Sequence, residues 1–234
     1  MSSLILIAAA LQPVWVGQFA GSGAPPAPWR VIQISRKVPP TQYRRQTIAG
    51  VAAIEARANR SMALLARPIS VDLSRTPVLC WRWLVDAPVA KADMTRKSGD
   101  DYAARLYVSF DIPDSQLTPG TLLKLRLARS VFGRSVPDAA LNYVWDNKHA
   151  VGTRRKSAYT DRAQLIVAES GASSAGRWVN ERANVASDFT KAFGGGAATL
   201  VQLAIASDTD NTGGTARAAF ADIHFVAAAE SCRF

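Results

Sequence analysis

Two acidic segments of this sequence carry the residue types best suited to chemistry. The segment 97–101 precedes a run with strand periodicity, 102–110, and the segment 207–214 follows another such run, 199–206. Their carboxylate and amide side chains are those of Asp100, Asp101, Asp208, Asp210 and Asn211. Because antiparallel neighbours place the end of one strand beside the start of the next, we expect both segments at the same end of the fold.

Carboxylates crowded in one place repel one another and need a cation close by, for which Lys97, Arg105 and a bound Ca²⁺ are the candidates. Calcium takes about six to eight oxygen ligands, and Asp208 and Asp210 are the predicted metal ligands. Aspartates that cap turns through backbone N–H groups are an alternative. Paired carboxylates also suit the cleavage of glycosidic bonds. The segments therefore predict a metal site, capped turns, or a catalytic or sugar-binding site.

The tryptophans divide into core residues and a candidate for a binding surface. Trp81 and Trp83 alternate with polar or small residues in the run 78–86 and share its apolar face, which predicts core packing. Trp145 is flanked by polar amides such as Asn142, so we expect both of them on a ligand-binding surface. An exposed indole offers an apolar face and a polar edge to a sugar ring.

The elements that position these residues read mainly as short strands. One helix is predicted over 185–193, with Asn184 as its N-cap and the glycines 194–196 at its end. Strands are predicted at 41–58 (one strand, or a hairpin turning near Gly50), 63–73, 78–86, 102–110, 123–127, 141–145, 163–169, 199–206 and 216–226. Since no long helical pattern separates the strands, the sequence predicts an all-β fold, an antiparallel two-sheet β-sandwich or jelly roll with one short helix.

The N-terminal run 4–11 is apolar but too short to span a bilayer as a helix. It suits the hydrophobic part of a secretory signal, which predicts a signal peptide over 1–20, a linker over 21–28 and one β-sandwich domain over 29–234. A buried first strand is the alternative for this run. Export predicts a periplasmic or secreted protein that is not an integral membrane protein once the signal is removed.

The two cysteines, Cys80 and Cys232, lie far apart in the sequence. In an exported protein they could form a disulfide. Because connectivity cannot be deduced from the sequence, we favour two unpaired thiols.

Charge and missing motifs narrow the function classes. The 234 residues include 28 Lys and Arg against 18 Asp and Glu, and the net charge of +10 favours an anionic partner such as an acidic polysaccharide, an envelope glycan or lipid headgroups. No nucleic-acid recognition motif is present, which disfavours nucleic acid. His149 and His224 stand alone, which disfavours zinc. Because the sequence lacks a nucleophile elbow, a P-loop and a dinucleotide fingerprint, Ca²⁺ is the only cofactor it suggests.

Six runs of the chain are together similar to the pattern of one protein family: 80–86, 97–105, 141–145, 176–179, 207–213 and 221–225. This is the exported bacterial family catalogued as domain of unknown function 3047, and the resemblance covers about residues 34–226. It implies a secreted, β-rich domain and brings no established activity. The last run is also similar to the closing strands of carbohydrate-binding jelly rolls, which is a likeness of fold alone. His224 departs from the pattern, where we expect Arg.

The interpretation that follows is an exported β-sandwich protein that binds a glycan or cell-envelope component without catalysis. The candidate ligand-binding residues are Asp100, Asp101, Arg105, Asn142, Trp145, Asp208, Asp210 and Asn211. One alternative is a polysaccharide-active hydrolase or lyase that uses the four aspartates. Another is a structural protein of the cell envelope.

Overall fold

The computed structural model describes residues 12–132 and 136–234, so the apolar run 4–11 lies outside the described residues. Within these ranges the strands and α-helices are, in chain order, β1 (Val14–Gly17), β2 (Arg30–Ile32), β3 (Gln42–Ile48), β4 (Val51–Asn59), β5 (Leu64–Pro68), β6 (Val78–Val85), β7 (Arg105–Asp111), α1 (Pro119–Phe132), β8 (Ala139–Asp146), β9 (Arg154–Lys156), β10 (Ala163–Ser170), β11 (Val179–Asn184), α2 (Val185–Phe193), β12 (Thr199–Ala206) and β13 (Thr215–Val226). None of the helices in these ranges has the length and apolar character needed to cross a membrane.

The strands form two sheets, which confirms the predicted β-sandwich. One sheet has the order β11-β6-β13-β4-β3, with β1 beside β13, and the other has the order β2-β5-β12-β7-β8-β10-β9. Pairing is antiparallel except between β8 and β10, which run parallel. The predicted hairpin in 41–58 forms between β3 and β4, where Ala49 and Gly50 both have positive φ, as a tight two-residue hairpin turn requires.

The core lies between the sheets and contains the predicted pair of tryptophans. Trp81 and Trp83 are 1% and 0% exposed, and their ring centroids lie 5.4 Å apart in an edge-to-face arrangement. Trp145 from the other sheet packs 5.8 Å from Trp83 and is itself 1% exposed. The prediction that Trp145 lies on a binding surface is therefore wrong. All eight residues of β8 are buried, because Tyr102 and Val144 belong to a second apolar cluster on the outer face of that sheet.

The two helices show one confirmed and one wrong prediction. Helix α2 has the predicted bounds, and the side chain of Asn184 accepts a hydrogen bond from the Ser187 N–H at 2.9 Å. The predicted strand 123–127 lies instead inside α1. The hydroxyl of Thr118 accepts a hydrogen bond from the Thr121 N–H at 3.2 Å, and Pro119 is the first helical residue. This is an N-cap followed by a proline at N1, which together favour a helix start.

Cys80 and Cys232 form a disulfide, with their Cα atoms 5.8 Å apart, so the prediction of two unpaired thiols is wrong. The tail after β13 folds back over that strand, where the Arg233 N–H donates to Nε2 of His224 at 3.0 Å. This return brings together two cysteines that are separated by 152 residues in the sequence.

The N-terminal residues that are described belong to the sandwich. β1 pairs with β13, with Val14 opposite Phe225. Val16 and Phe19 are 4% and 1% exposed in the core, and Nη1 of Arg67 donates to the Val16 carbonyl at 2.5 Å. Cleavage at the end of the predicted signal peptide would therefore remove a strand of the sheet. The signal peptide, the linker and their boundaries stay predictions.

Candidate functional site

The two acidic segments meet at one end of the sandwich, as predicted. β12 and β7 are antiparallel neighbours, and Ala206, the last residue of β12, lies opposite Arg105, the first residue of β7. The chain before β7 and the chain after β12 therefore leave the sheet side by side. The Asp208 N–H donates to the Tyr102 carbonyl at 3.1 Å, and the Tyr102 N–H donates to Oδ1 of Asp208 at 3.1 Å.

Arg105 is the cation that the crowded carboxylates require. Its Nη1 donates to Oδ2 of Asp208 at 2.5 Å and its Nη2 to Oδ1 of Asp100 at 2.8 Å. The guanidinium lies 4.6 and 5.4 Å from the ring centroids of Tyr102 and Tyr107. Burial alone lowers the pKa of Arg105, but Asp100 and Asp208 reverse this and raise it above its ordinary value. Arg105 is 3% exposed, so it pairs with buried carboxylates and does not face a ligand.

Asn142, a predicted ligand-binding residue, completes the shell around this arginine. With its amide oxygen turned toward the guanidinium, it accepts hydrogen bonds from Nη2 and Nε of Arg105 at 3.1 and 3.2 Å. It is 2% exposed and lies on β8, in the same strand as the buried Trp145. The surface position predicted for Asn142 is therefore wrong: its polarity reflects a buried partner.

The side chain of Asp101 accepts hydrogen bonds from the second acidic segment, 207–214. Its Oδ1 accepts hydrogen bonds from the backbone N–H and the side-chain amide of Asn211, both at 3.2 Å, and its Oδ2 accepts one from the Thr212 N–H at 2.5 Å. Asp101 is fully buried, and Asn211 is half-buried. This is the turn-capping alternative, in which the carboxylate of one segment caps the turn of the other.

Three carboxylates of the cluster lie close enough to share one cation. Asp101, Asp208 and Asp210 each place an oxygen within 4.8 Å of the others. Burial and the neighbouring Asp101 and Asp100 raise the pKa of Asp208 to about 8 against the opposing effect of Arg105. Burial, with Asp101 next in size, also raises the pKa of Asp210. The proximity of the three carboxylates leaves Asp208 and Asp210 as predicted Ca²⁺ ligands, and a calcium titration of the melting temperature would distinguish a metal site from a cluster neutralised by arginine.

A cavity, which we call the end pocket, lies beside the cluster at this end of the sandwich. It has a volume of about 400 Å³. Its polar and charged lining includes Lys91, Arg96, Ser98, Asn147, Lys148, Asn211 and Thr212. Of the residues predicted from the sequence, only Asn211 lines it. Its basic side chains come from two loops, Lys91 and Arg96 from one and Lys148 from the other, so no run of basic residues marked the pocket in the sequence.

Two walls of the end pocket are held by internal contacts. Asp93 accepts a hydrogen bond from the Thr95 N–H at 3.0 Å, and its Oδ2 lies 3.4 Å from Arg96 and 3.5 Å from Lys148. The backbone of Asp93 packs on Gly99 so closely that a Cβ on Gly99 would lie 2.7 Å from the Asp93 Cβ. The loop that carries Lys91 and Arg96 is therefore seated directly on the first acidic segment.

Two residues that line the end pocket, Asn147 and Thr212, each have a buried side-chain oxygen with no hydrogen-bond partner within the protein. The amide nitrogen of Asn147 donates to the carbonyls of Ala90 and Ala92 at 2.9 and 3.1 Å, which fixes the amide orientation. Its Oδ1 atom has no protein donor, and neither has Oγ1 of Thr212. Buried polar atoms without a partner are uncommon in proteins, and a bound water or ligand is one way to satisfy them.

Comparison with known proteins identifies a family. A family-level pattern described as "Protein of unknown function (DUF3047)" matches residues 27–224, so the chain belongs to that family. No curated protein matches the chain.

Two solved structures align with most of the chain at low similarity. The family 30 carbohydrate-binding module of the cellulosomal cellulase Cel9D-Cel44B of Clostridium thermocellum is 12% identical and has a TM-score of 0.40, with 94% of this chain and 95% of that chain covered. The xyloglucanase domain of NopAA, a type three effector from Sinorhizobium fredii in complex with cellobiose, is 11% identical and has a TM-score of 0.36, with 87% and 100% covered. At this level of similarity neither protein supports a shared ligand.

Proposed function

We propose that this member of the DUF3047 family is a β-sandwich binding protein that holds an acidic glycan in the end pocket. The observation that carries the proposal is the convergence of three basic side chains with the polar residues Asn147, Asn211 and Thr212 around one cavity. Its volume of about 400 Å³ lies in the range of pockets that hold small ligands.

The acceptors suit the hydroxyl groups of a sugar. A hydroxyl donates its proton to a carbonyl or hydroxyl oxygen, so sugar hydroxyls are chemically matched to the side-chain oxygens of Asn147 and Thr212. Asn147 cannot rotate away without losing its bonds to Ala90 and Ala92. The acceptor is therefore fixed before the ligand arrives, which reduces the entropy lost on binding.

The basic side chains suit a carboxylate on the same ligand. Lys91, Arg96 and Lys148 line the cavity, while Asp93 is the acidic group paired with two of them among the described residues. The rim therefore has an excess of positive charge. Hydrogen bonds from Lys or Arg to a carboxylate are about twice as strong as neutral ones. The net charge of +10 attracts a polyanion from a distance as well.

Isothermal titration with an oligogalacturonate tests the proposal. We expect saturable binding that weakens as salt is raised, because exposed charges are screened. Lys148→Gln should weaken binding by about tenfold, the value of one charge-assisted hydrogen bond. The matched control is Lys191→Gln, an exposed lysine on α2, which should bind as the wild type does. Absence of binding to this and to a panel of other acidic and neutral glycans would leave the structural envelope protein as the better interpretation.

A second candidate function, cleavage of the same polymer by a lyase, is favoured by His149, which follows the pocket residue Lys148 in the sequence. Nδ1 of His149 lies 3.0 Å from Oδ1 of Asp146, whose carboxylate is fully buried, while the His149 side chain is 25% exposed. A carboxylate in this position orients an imidazole and leaves Nε2 to act as a base. Release of unsaturated uronate products, followed by ultraviolet absorbance and lost in His149→Ala, would establish this function. Asp101 and Asp208 are too deeply buried to contact a polymer, which disfavours a hydrolase built on them.

Export to the periplasm or medium belongs to the same proposal. Stable disulfides form in oxidising compartments, and the bridge between Cys80 and Cys232 supports such a location. Fractionation of native cells, with mass spectrometry of the mature N-terminus, tests it. Protein found in the reducing cytoplasm with both thiols unpaired would contradict it.

A further inference from the structure

Helix α1 exposes leucines to solvent. Leu123 and Leu127 are 69% and 66% exposed, more than any other large apolar side chain described. They lie four residues apart, so they occupy the same helix face one turn from each other. Leu125 is 5% exposed and attaches the opposite face to the body of the protein. Solvent exposure of two adjacent leucines is unfavourable unless another surface covers them.

Basic residues border these leucines on both sides. Successive helical residues are rotated by about 100°. Lys124 therefore lies on one side of the leucine pair and Arg126 on the other, and both are exposed. The helix from Pro119 to Phe132 contains no acidic residue. The exposed face of α1 is thus an apolar centre with a positive charge on each flank.

The positive charge continues on the neighbouring edge of the sheet. Nζ of Lys124 lies 3.8 Å from Oδ2 of Asp161, an exposed residue in the connection from β9 to β10. This contact places that connection next to α1. β9, the edge strand of its sheet, exposes Arg155 and Lys156.

We propose that α1 is a peripheral docking helix for an anionic phospholipid surface. On such a surface Leu123 and Leu127 would enter the boundary between headgroups and acyl chains, while Lys124 and Arg126 would extend to the phosphates. Basic residues close to an anionic membrane add to the attraction. A second copy of this chain fits the face poorly, because it would bring the same positive flanks against each other. The docking face does not depend on the end pocket, and the proposal does not rest on glycan binding.

Flotation of the full chain with vesicles tests the proposal. We expect the wild type to float with vesicles of phosphatidylglycerol and phosphatidylcholine, to float poorly with phosphatidylcholine alone, and to be released by high salt. Leu123→Ser combined with Leu127→Ser should lower the partition coefficient about 100-fold, or about tenfold for each leucine removed from the acyl boundary. The matched control is Val151→Ser, which changes a 61% exposed apolar residue elsewhere and should leave flotation unchanged.

Three outcomes would overturn the proposal. The first is a wild-type protein that does not float with the anionic vesicles. The second is a double serine variant that floats as well as the wild type while its circular dichroism spectrum shows a folded protein. The third is a wild-type dimer in light scattering that the double variant converts to a monomer without any vesicle binding, since a second copy would then cover the face.

Discussion

Removal of the bridge between Cys80 and Cys232 is expected to lower the free energy of unfolding by about 3–5 kcal/mol. The sulfurs join residues separated by 152 positions, so the bridge closes most of the chain into one loop. In the chain-entropy relation a loop of that length corresponds to about 5 kcal/mol at room temperature, because the bridge restricts the unfolded chain. Since a domain has only about 5–15 kcal/mol of stability, the loss is a large part of the total.

The expected loss falls below the full entropic value because the tail after β13 also gains some freedom in the native state when the bridge is broken. The tail that carries Cys232 makes other contacts, including the hydrogen bond from Arg233 to His224 and the guanidinium of Arg82 lying 5.7 Å from the Phe234 ring centroid. These contacts hold part of the tail near β13 without the bridge, so the native state gains little freedom and most of the entropic value remains. Cys80 lies in β6, so strand pairing holds it in the native protein with or without the bridge.

Urea unfolding followed by circular dichroism measures the effect in two independent ways. The first compares the wild type with and without reductant, which breaks the bridge and keeps both side chains. The second uses Cys80→Ala with Cys232→Ala, which also removes the buried sulfur of Cys80 and should lose somewhat more. A difference below about 1 kcal/mol between oxidised and reduced protein would refute the loop-entropy argument for this chain.

Four further outcomes are expected. Trp83→Ala should cost about 3–5 kcal/mol in urea melts, because the indole is fully buried between the sheets. Burial raises the pKa of Glu181 from 4.5 to about 8. Between these pH values the unfolded chain has released the proton and the folded protein still holds it. The free energy of unfolding of the wild type should therefore fall by up to about 1.4 kcal/mol for each unit of pH. Glu181→Gln should flatten that pH profile of the melting temperature. Asp101→Ala should speed hydrogen exchange at the backbone amides of Asn211 and Thr212, which donate to the Asp101 carboxylate. It should lower the free energy of unfolding by about 1.5–3 kcal/mol for each hydrogen bond lost. A chain that begins at Gly21 lacks β1 and the buried Phe19 ring, and should lose at least about 3–5 kcal/mol in thermal or urea melts.

The sequence predicted the sandwich where its signals were local. The alternation around Trp81 and Trp83 fixed one face of β6, and the Asn184 cap with the following glycines fixed both ends of α2. Strand boundaries were also predictable where turn residues interrupt the pattern, as at Gly50. In these cases the sequence neighbours of a residue determine its environment.

Helix α1 shows where a local pattern had two solutions. The leucines 123, 125 and 127 alternate with basic residues and fit a strand, whereas Thr118 and Pro119 fit a helix start. In the structure the helix start at Thr118 and Pro119 prevails, and the segment is helical. Two of the three leucines face solvent, so burial did not impose the alternation that the strand prediction assumed.

Other features depended on contacts between distant parts of the chain. The parallel pairing of β8 with β10 needs the intervening connection to cross to the same end of the sheet before the chain re-enters, which no local pattern specifies. The disulfide needs the C-terminal tail to fold back over β13. The polar residues around Trp145 and Asn142 predict a surface position, but their strand is covered on both faces, and Asn142 bonds to the buried Arg105.

The acidic segments were predicted to converge, and they do, but their burial changes what they can contribute. Asp101 and Arg105 cannot touch a glycan, because each is nearly or fully buried and occupied by protein partners. They support the residues that line the end pocket and do not line it themselves. Asp101 holds the backbone of Asn211 and Thr212, which line the pocket. Crowded carboxylates repel one another and are unfavourable to bury, and in this protein they fix the backbone that lines the end pocket. A variant such as Asp101→Ala should therefore weaken glycan binding through the position of Thr212, and its loss of affinity should be smaller when Thr212 is itself replaced by Val, because the two changes remove the same contact.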